Sequence, residues 1–229
     1  MNPLQSRSPV TRHSIGLFGG TFDPIHLGHI QIALELKQAL HLDEMRLLPC
    51  HIPPHRRAPV ASAEHRAAMV QLALSDCKQL RIDTLELHNP EPSYSVHTLE
   101  QLRQTLGDEV SLCLAMGMDS LVTLNSWYRW QALLALAHII VAARPGWSLA
   151  NNGEMLEYVN QHRGSMADLH QLRRGKIVIQ ELSLVPISST EVRARLNQGQ
   201  SVKSLIPDAV QAYIRQHQLY QPATVTNSR

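Results

Sequence analysis

The chain has 229 residues, 44% of them hydrophobic and 17% charged, with a formal net charge of +2. That balance fits an ordinary globular protein able to bury a core. It argues against nucleic-acid binding by bulk electrostatics, which needs a strongly basic face, and no apolar run approaches membrane-spanning length.

In chain order, residues 1–14 lack the apolar centre of a signal peptide and read as a flexible arm. Residues 15–18 read as a first strand, 30–40 as an amphipathic helix, and 46–48 as a short strand running into Pro49. Residues 63–75 have helical periodicity, with apolar positions at Ala67, Val70, Leu72 and Leu74. Residues 80–87 alternate and predict a strand, 96–106 predict a helix stopped by Gly107, and 110–116 and 138–143 are continuous apolar runs expected of strands buried on both faces. A long strand is expected over 176–185, a helix over about 190–196 and a last helix over 207–218, with a frayed tail at 221–229. The segments 52–60 and 147–152 are rich in Pro, Gly or Asn and read as loops.

Strand alternating with helix implies an α/β protein, a mainly parallel sheet with helices on both faces and a small C-terminal helical part. Residues 15–220 read as a single domain. Cys50, Cys77 and Cys113 are odd in number and far apart, as expected of reduced core thiols in a cytoplasmic protein and not of a disulfide frame or zinc site.

The chemistry concentrates in "GLFGGTFDPIHLGHI", residues 16–30. Gly19 and Gly20 fall where the first strand ends, and glycine there lets backbone approach a phosphate and take positive φ. The following helix start offers free N–H groups and partial positive charge to an anion. His26 and His29 are three apart and share a face of the first turn. Imidazole donates a hydrogen bond to a phosphoryl oxygen and, if protonated, adds charge. The string is neither a Walker A loop nor the dinucleotide glycine fingerprint, and no third ligand completes a zinc site.

"GGTFDPIHLGH" resembles the signature of the nucleotidyltransferases that carry a His-x-Gly-His motif on a Rossmann-like, doubly wound sheet. "ISSTEVR", from Ile187 to Arg193, resembles the second signature of that superfamily. Ser188 and Glu191 also read as a capping box, which leaves Arg193 unexplained, and an arginine beside free N–H groups suits ATP phosphates. "IPPHR", "PSYSVHTL", "GMDSLVTLNSWY" and "HIIVAARPG" look like the bacterial nicotinate-nucleotide adenylyltransferases.

The resemblance implies transfer of AMP from ATP to nicotinate mononucleotide, giving nicotinate adenine dinucleotide and pyrophosphate in NAD biosynthesis. It implies Mg²⁺ carried with ATP, no resident metal, no nucleic acid or membrane partner, and leaves the oligomeric state open. His26, His29 and Arg193 would be the catalytic residues. Gly19, Gly20, Gly117, Asp119, Arg144, Ile187 and Ser188 would join them around ATP. Thr21, Phe22, His55, Arg56, Ser95, Trp127 and Tyr128 would face the mononucleotide, with Trp127 stacked on the pyridine ring. Ser95 stands where relatives often have threonine, and His97, where they are often acidic or polar, receives no role. The alternative is a sister nucleotidyltransferase acting on nicotinamide mononucleotide or phosphopantetheine. The chain length and the Trp127-Tyr128 pair argue against a phosphopantetheine enzyme.

Overall fold

The computed structural model describes residues 11–54, 58–146, 149, 153–183 and 185–221. In chain order its elements are β1 (Ser14–Gly20), α1 (Leu27–Ala39), β2 (Glu44–Pro49), α2 (Ala63–Ala73), β3 (Arg81–Ile82), α3 (Ser95–Leu106) and β4 (Ser111–Gly117). There follow α4 (Met118–Val122), α5 (Leu133–Leu136), β5 (His138–Ala143), α6 (Gly153–His162), α7 (Met166–Gln171), β6 (Ile177–Glu181), α8 (Ser189–Asn197) and α9 (Asp208–Gln216).

The strands form one six-stranded sheet in the order β3-β2-β1-β4-β5-β6. β1 pairs with β4, β4 with β5 and β5 with β6, all parallel. This is the Rossmann-like arrangement, in which strand order reverses between β1 and β4 and ligands bind beyond the carboxyl ends of the strands at the reversal. The apolar runs of β4 and β5 are buried along their length, as a parallel sheet covered on both faces requires.

The chain divides into two compact units where the sequence predicts one domain. The first takes the described residues of Met1–Phe18, Leu36–Arg46 and Tyr94–Ser183. Here Arg103 on α3 donates to the carbonyls of Val110 at 2.7 Å, Leu136 at 2.7 Å and Arg173 at 2.9 Å, so one guanidinium fixes the segments entering β4, β5 and β6. Of the arm expected over 1–14, residues 1–10 lie outside the described residues, and Arg12 bonds His170 and Gln171 through their carbonyls and pairs with Glu109.

The second unit takes the described residues of Gly19–Glu35, Leu47–Ser93 and Leu184–Arg229. Its α2 is capped by the Ser62 hydroxyl and carries Arg66, which is only 1% exposed. The Arg66 guanidinium donates to the carbonyls of Thr21 at 2.8 Å, His51 at 2.8 Å and Ala61 at 3.2 Å. A buried cation is tolerable only when so satisfied. Truncating it would strand three carbonyls at about 1–3 kcal/mol each. Nothing in the sequence distinguishes Arg66 from a surface arginine.

Three expectations change. The strand over 80–87 survives only as Arg81–Ile82, because the Asp83 carboxylate accepts the Leu85 N–H at 3.1 Å and turns the chain into a short 3₁₀ segment, Leu85–His88. The strand over 176–185 ends at Glu181, opposite Ala143, where its neighbour in the sheet, β5, also ends. The region 153–171, given no element from sequence, forms α6 and α7, and a capping box of Ser165 and Asp168 starts the latter.

Candidate active site

The residues expected around the ATP phosphates converge in the second unit, although they lie at opposite ends of the chain. β1 runs extended through Gly19 and Gly20, and the left-handed residue is Phe22, at φ 48°. The expected positive φ at the two glycines is therefore corrected. A methyl on Gly19 would meet nothing within 4 Å, so that position presents bare backbone.

α1 begins at Leu27, which puts His29 in its first turn. The rings of His26 and His29 stack with centroids 3.6 Å apart and planes 20° from parallel. The Nδ1 of His29 accepts the His26 N–H and the Nδ1 of His26 accepts the His29 N–H, both at 3.3 Å. A nitrogen that accepts carries no proton, so each neutral ring holds its proton on Nε2 and offers that N–H as a donor. Burial pushes His26 down to about 4, so near pH 7 it is uncharged. Two imidazolium rings at this separation would also repel. The pair is thus two polar donors, and the charge considered from sequence is not needed.

Gly28 has a specific steric role. A methyl there would lie 3.1 Å from Nδ1 and 3.3 Å from Cε1 of His26, displacing the stacked ring. The group that a side chain at residue 28 meets first is His26. The Phe22 ring, 2% exposed, meets the His29 ring edge-on at 5.0 Å. The Phe22 side chain, expected from the resemblance to face the mononucleotide, is buried against His29.

α8 starts beside the same loop. Ser188 is its N-cap, accepting the Glu191 N–H at 3.1 Å, and Ser189 donates its hydroxyl to the Pro24 carbonyl at 3.0 Å. Arg193, one turn along, donates to the Asp23 carbonyl and lies 3.8 Å from the Asp23 carboxylate. Ile187 approaches Gly28, its Cβ being 3.6 Å from where a methyl on that glycine would stand. Imidazole donors, open glycine backbone, a helix start and one arginine form a set suited to phosphates.

The sequence pattern of the cytidylyltransferase-like family matches residues 17–195. A Cellvibrio japonicus protein named "Probable nicotinate-nucleotide adenylyltransferase" is 49% identical over 92% of this chain and 100% of its own length. A protein of the same name from Aeromonas hydrophila is 48% identical over 91% of this chain and 98% of its own. This chain belongs to the nicotinate-nucleotide adenylyltransferase family. In fold it is similar to the Plasmodium falciparum nicotinic acid mononucleotide adenylyltransferase complexed with NaAD, with a TM-score of 0.71 and 18% identity over 91% of this chain and 98% of that one.

Thr21 lies in the second unit, between β1 and α1, and Gly117, Asp119, Arg144, Ser95, Trp127 and Tyr128 lie in the first. Gly117 ends β4 and precedes α4, and a methyl on it would stand 2.6 Å from the Asp119 carboxylate, which would have to shift to make room. Asp119 and Arg144 are exposed, Arg144 directly after β5. Ser95 opens α3, where the first N–H groups have no intrahelical acceptor. The aromatic cluster read from sequence divides in two. Trp130 packs edge-on against Tyr158 at 4.7 Å, while Tyr128, 47% exposed, meets Tyr94 at 4.7 Å and His97 at 5.5 Å. Trp127 is half-buried and belongs to neither ring set. His97, given no role from sequence, and Tyr94 flank Ser95 and pack on Tyr128; their three-residue spacing at a helix start is the signal for a shared face. His55 and Arg56 lie outside the described residues.

Proposed function

We propose that this chain transfers the adenylyl group of ATP to nicotinate mononucleotide, forming nicotinate adenine dinucleotide and pyrophosphate in NAD biosynthesis. The carrying observation is the stacked His26–His29 pair and Arg193 gathered on one loop. The named relatives, matched almost end to end, supply the acceptor.

The 5′-phosphate oxygen of the mononucleotide attacks the α-phosphorus of ATP and pyrophosphate departs in line. A phosphate monoester is already largely ionised near pH 7, so no strong general base is needed. Catalysis rests on positioning and on stabilising charge that develops on phosphoryl oxygens. His26 and His29 donate from Nε2 to those oxygens, and burial keeps His26 uncharged near pH 7. Arg193, with the start of α8 and Ser188, takes the β- and γ-phosphates. Gly19, Gly20 and Thr21 line the shared groove, Gly117, Asp119 and Arg144 serve the nucleoside side of ATP, and His55 and Arg56 approach the mononucleotide phosphate. Ser95, Trp127 and Tyr128 hold the nicotinate.

Nucleotidyltransferases of this kind generally use a divalent metal with ATP, and Mg²⁺ is the ion proposed here. Among the described residues no group of three or more His, Cys, Asp or Glu could hold a metal ion. Carried with ATP and ligated by phosphate and water, such an ion would supply charge neutralisation. Among the described residues no helix is long and apolar enough to cross a membrane. Cys50, Cys77 and Cys113 are free thiols, which supports a cytoplasmic setting.

The test is pyrophosphate release with ATP and a panel of acceptors: nicotinate mononucleotide, nicotinamide mononucleotide, phosphopantetheine and a sugar phosphate. Rapid release with nicotinate mononucleotide is expected, and release with phosphopantetheine in its place would overturn the reading. Arg193→Ala is expected to raise the Michaelis constant for ATP several-fold more than that for nicotinate mononucleotide. Steady-state kinetics showing the opposite selectivity would move Arg193 to the other substrate.

A further inference from the structure

Asp23 draws separate segments of the second unit onto one carboxylate. Oδ2 accepts the Val60 N–H at 2.8 Å, and Oδ1 accepts the Ala61 N–H at 3.1 Å and the Tyr220 hydroxyl at 2.7 Å. The Arg193 guanidinium waits 3.8 Å from Oδ2 while donating to the Asp23 carbonyl. Asp23 is 5% exposed and Tyr220 is 7% exposed. Tyr220 stands four residues beyond α9 in a left-handed conformation at φ 62°, two residues after Gln218 at φ 53°. Non-glycine residues rarely take such φ values, and they persist where surroundings hold them. The hydrogen bond to Asp23 is one such restraint.

A buried carboxylate recruits every donor within reach. Without the Tyr220 hydroxyl, Oδ1 keeps one N–H, and the Arg193 guanidinium is the cation close enough to compensate. Drawn fully onto Asp23, it would no longer be available to a phosphate. We propose that Tyr220 is a positioning residue for ATP, its hydroxyl satisfying Asp23 so that Arg193 remains free to engage the ATP phosphates. The proposal rests on the reading of Arg193 given above. Burial and the neighbouring Asp23 push the Tyr220 phenol upward, which keeps it a donor at any working pH.

The experiment compares Tyr220→Phe, which keeps the buried ring, with the wild-type chain. Calorimetric titration with a non-hydrolysable ATP analogue, Michaelis constants for both substrates and thermal unfolding are measured on each. Tyr220→Phe is expected to weaken the analogue and raise the ATP Michaelis constant about threefold to tenfold, the scale of one redirected hydrogen bond. The mononucleotide constant and unfolding midpoint should stay near wild type. In an Asp23→Asn background, with no charge to draw Arg193, removing the hydroxyl should have no further effect on the analogue. Unchanged analogue affinity in Tyr220→Phe overturns the proposal. So does a fall in midpoint with both Michaelis constants rising together, since that is a structural role alone. A wild-type chain that does not bind the analogue fails the functional reading itself.

Discussion

His29→Ala is expected to fold and unfold like the wild-type chain and to lose about two orders of magnitude or more in turnover, the scale of removing one preorganised donor from a reacting centre. The reasoning starts from His29's place. It is half-buried in the first turn of α1, so water can replace its contacts after truncation, whereas the fully packed Phe22 behind it remains. What the variant cannot replace is an N–H on Nε2, held in place because Nδ1 is occupied by the His26 N–H at 3.3 Å. His29→Gln, whose amide reaches toward the Nε2 position, should recover part of the rate. Single-turnover AMP transfer with saturating substrates is the measurement. Near-normal turnover in a folded His29→Ala protein would remove the histidine pair from the chemistry.

The second large effect is a preference for nicotinate over nicotinamide mononucleotide, between about tenfold and several thousandfold in kcat/KM. The two substrates differ by a carboxylate against a neutral carboxamide. The rings of Tyr94 and Tyr128, 4.7 Å apart, bring the start of α3 beside Tyr128. The first-turn N–H groups of α3 can satisfy carboxylate oxygens, and the positive end of a helix favours the negative charge. A carboxamide would turn its NH₂ toward those donors, and each donor left unpaired costs about 1–3 kcal/mol. An acceptor nearby would rescue the amide, but the acid one turn into α3, Glu100, is already paired with Arg129 at 2.9 Å. Ser95→Ala keeps its N–H and should retain most of the preference. Equal kcat/KM for the two mononucleotides at saturating ATP would mean that the carboxylate is not read by these groups.

Local pattern was sufficient for the α/β alternation and for the pairing of His26 with His29. Two histidines three apart at a helix start share a face whatever surrounds them, and the continuous apolar runs of β4 and β5 are legible because both faces of a parallel strand are buried. Local pattern failed where a side chain competed with the expected backbone pairing, as Asp83 does after β3, or where a partner strand ran out, as β5 does beside β6. It was also silent on the charge state of His26, because that is set by burial and not by spacing. The residues that hold the loop in place were invisible for the same reason. Arg66 meets the carbonyl of Thr21 across 45 positions, and Tyr220 meets Asp23 across 197. A lone arginine or a tyrosine near the end of a sequence has no periodicity or motif to mark it. Burying a charge demands a complete set of partners, and such a set is assembled only when distant segments pack together.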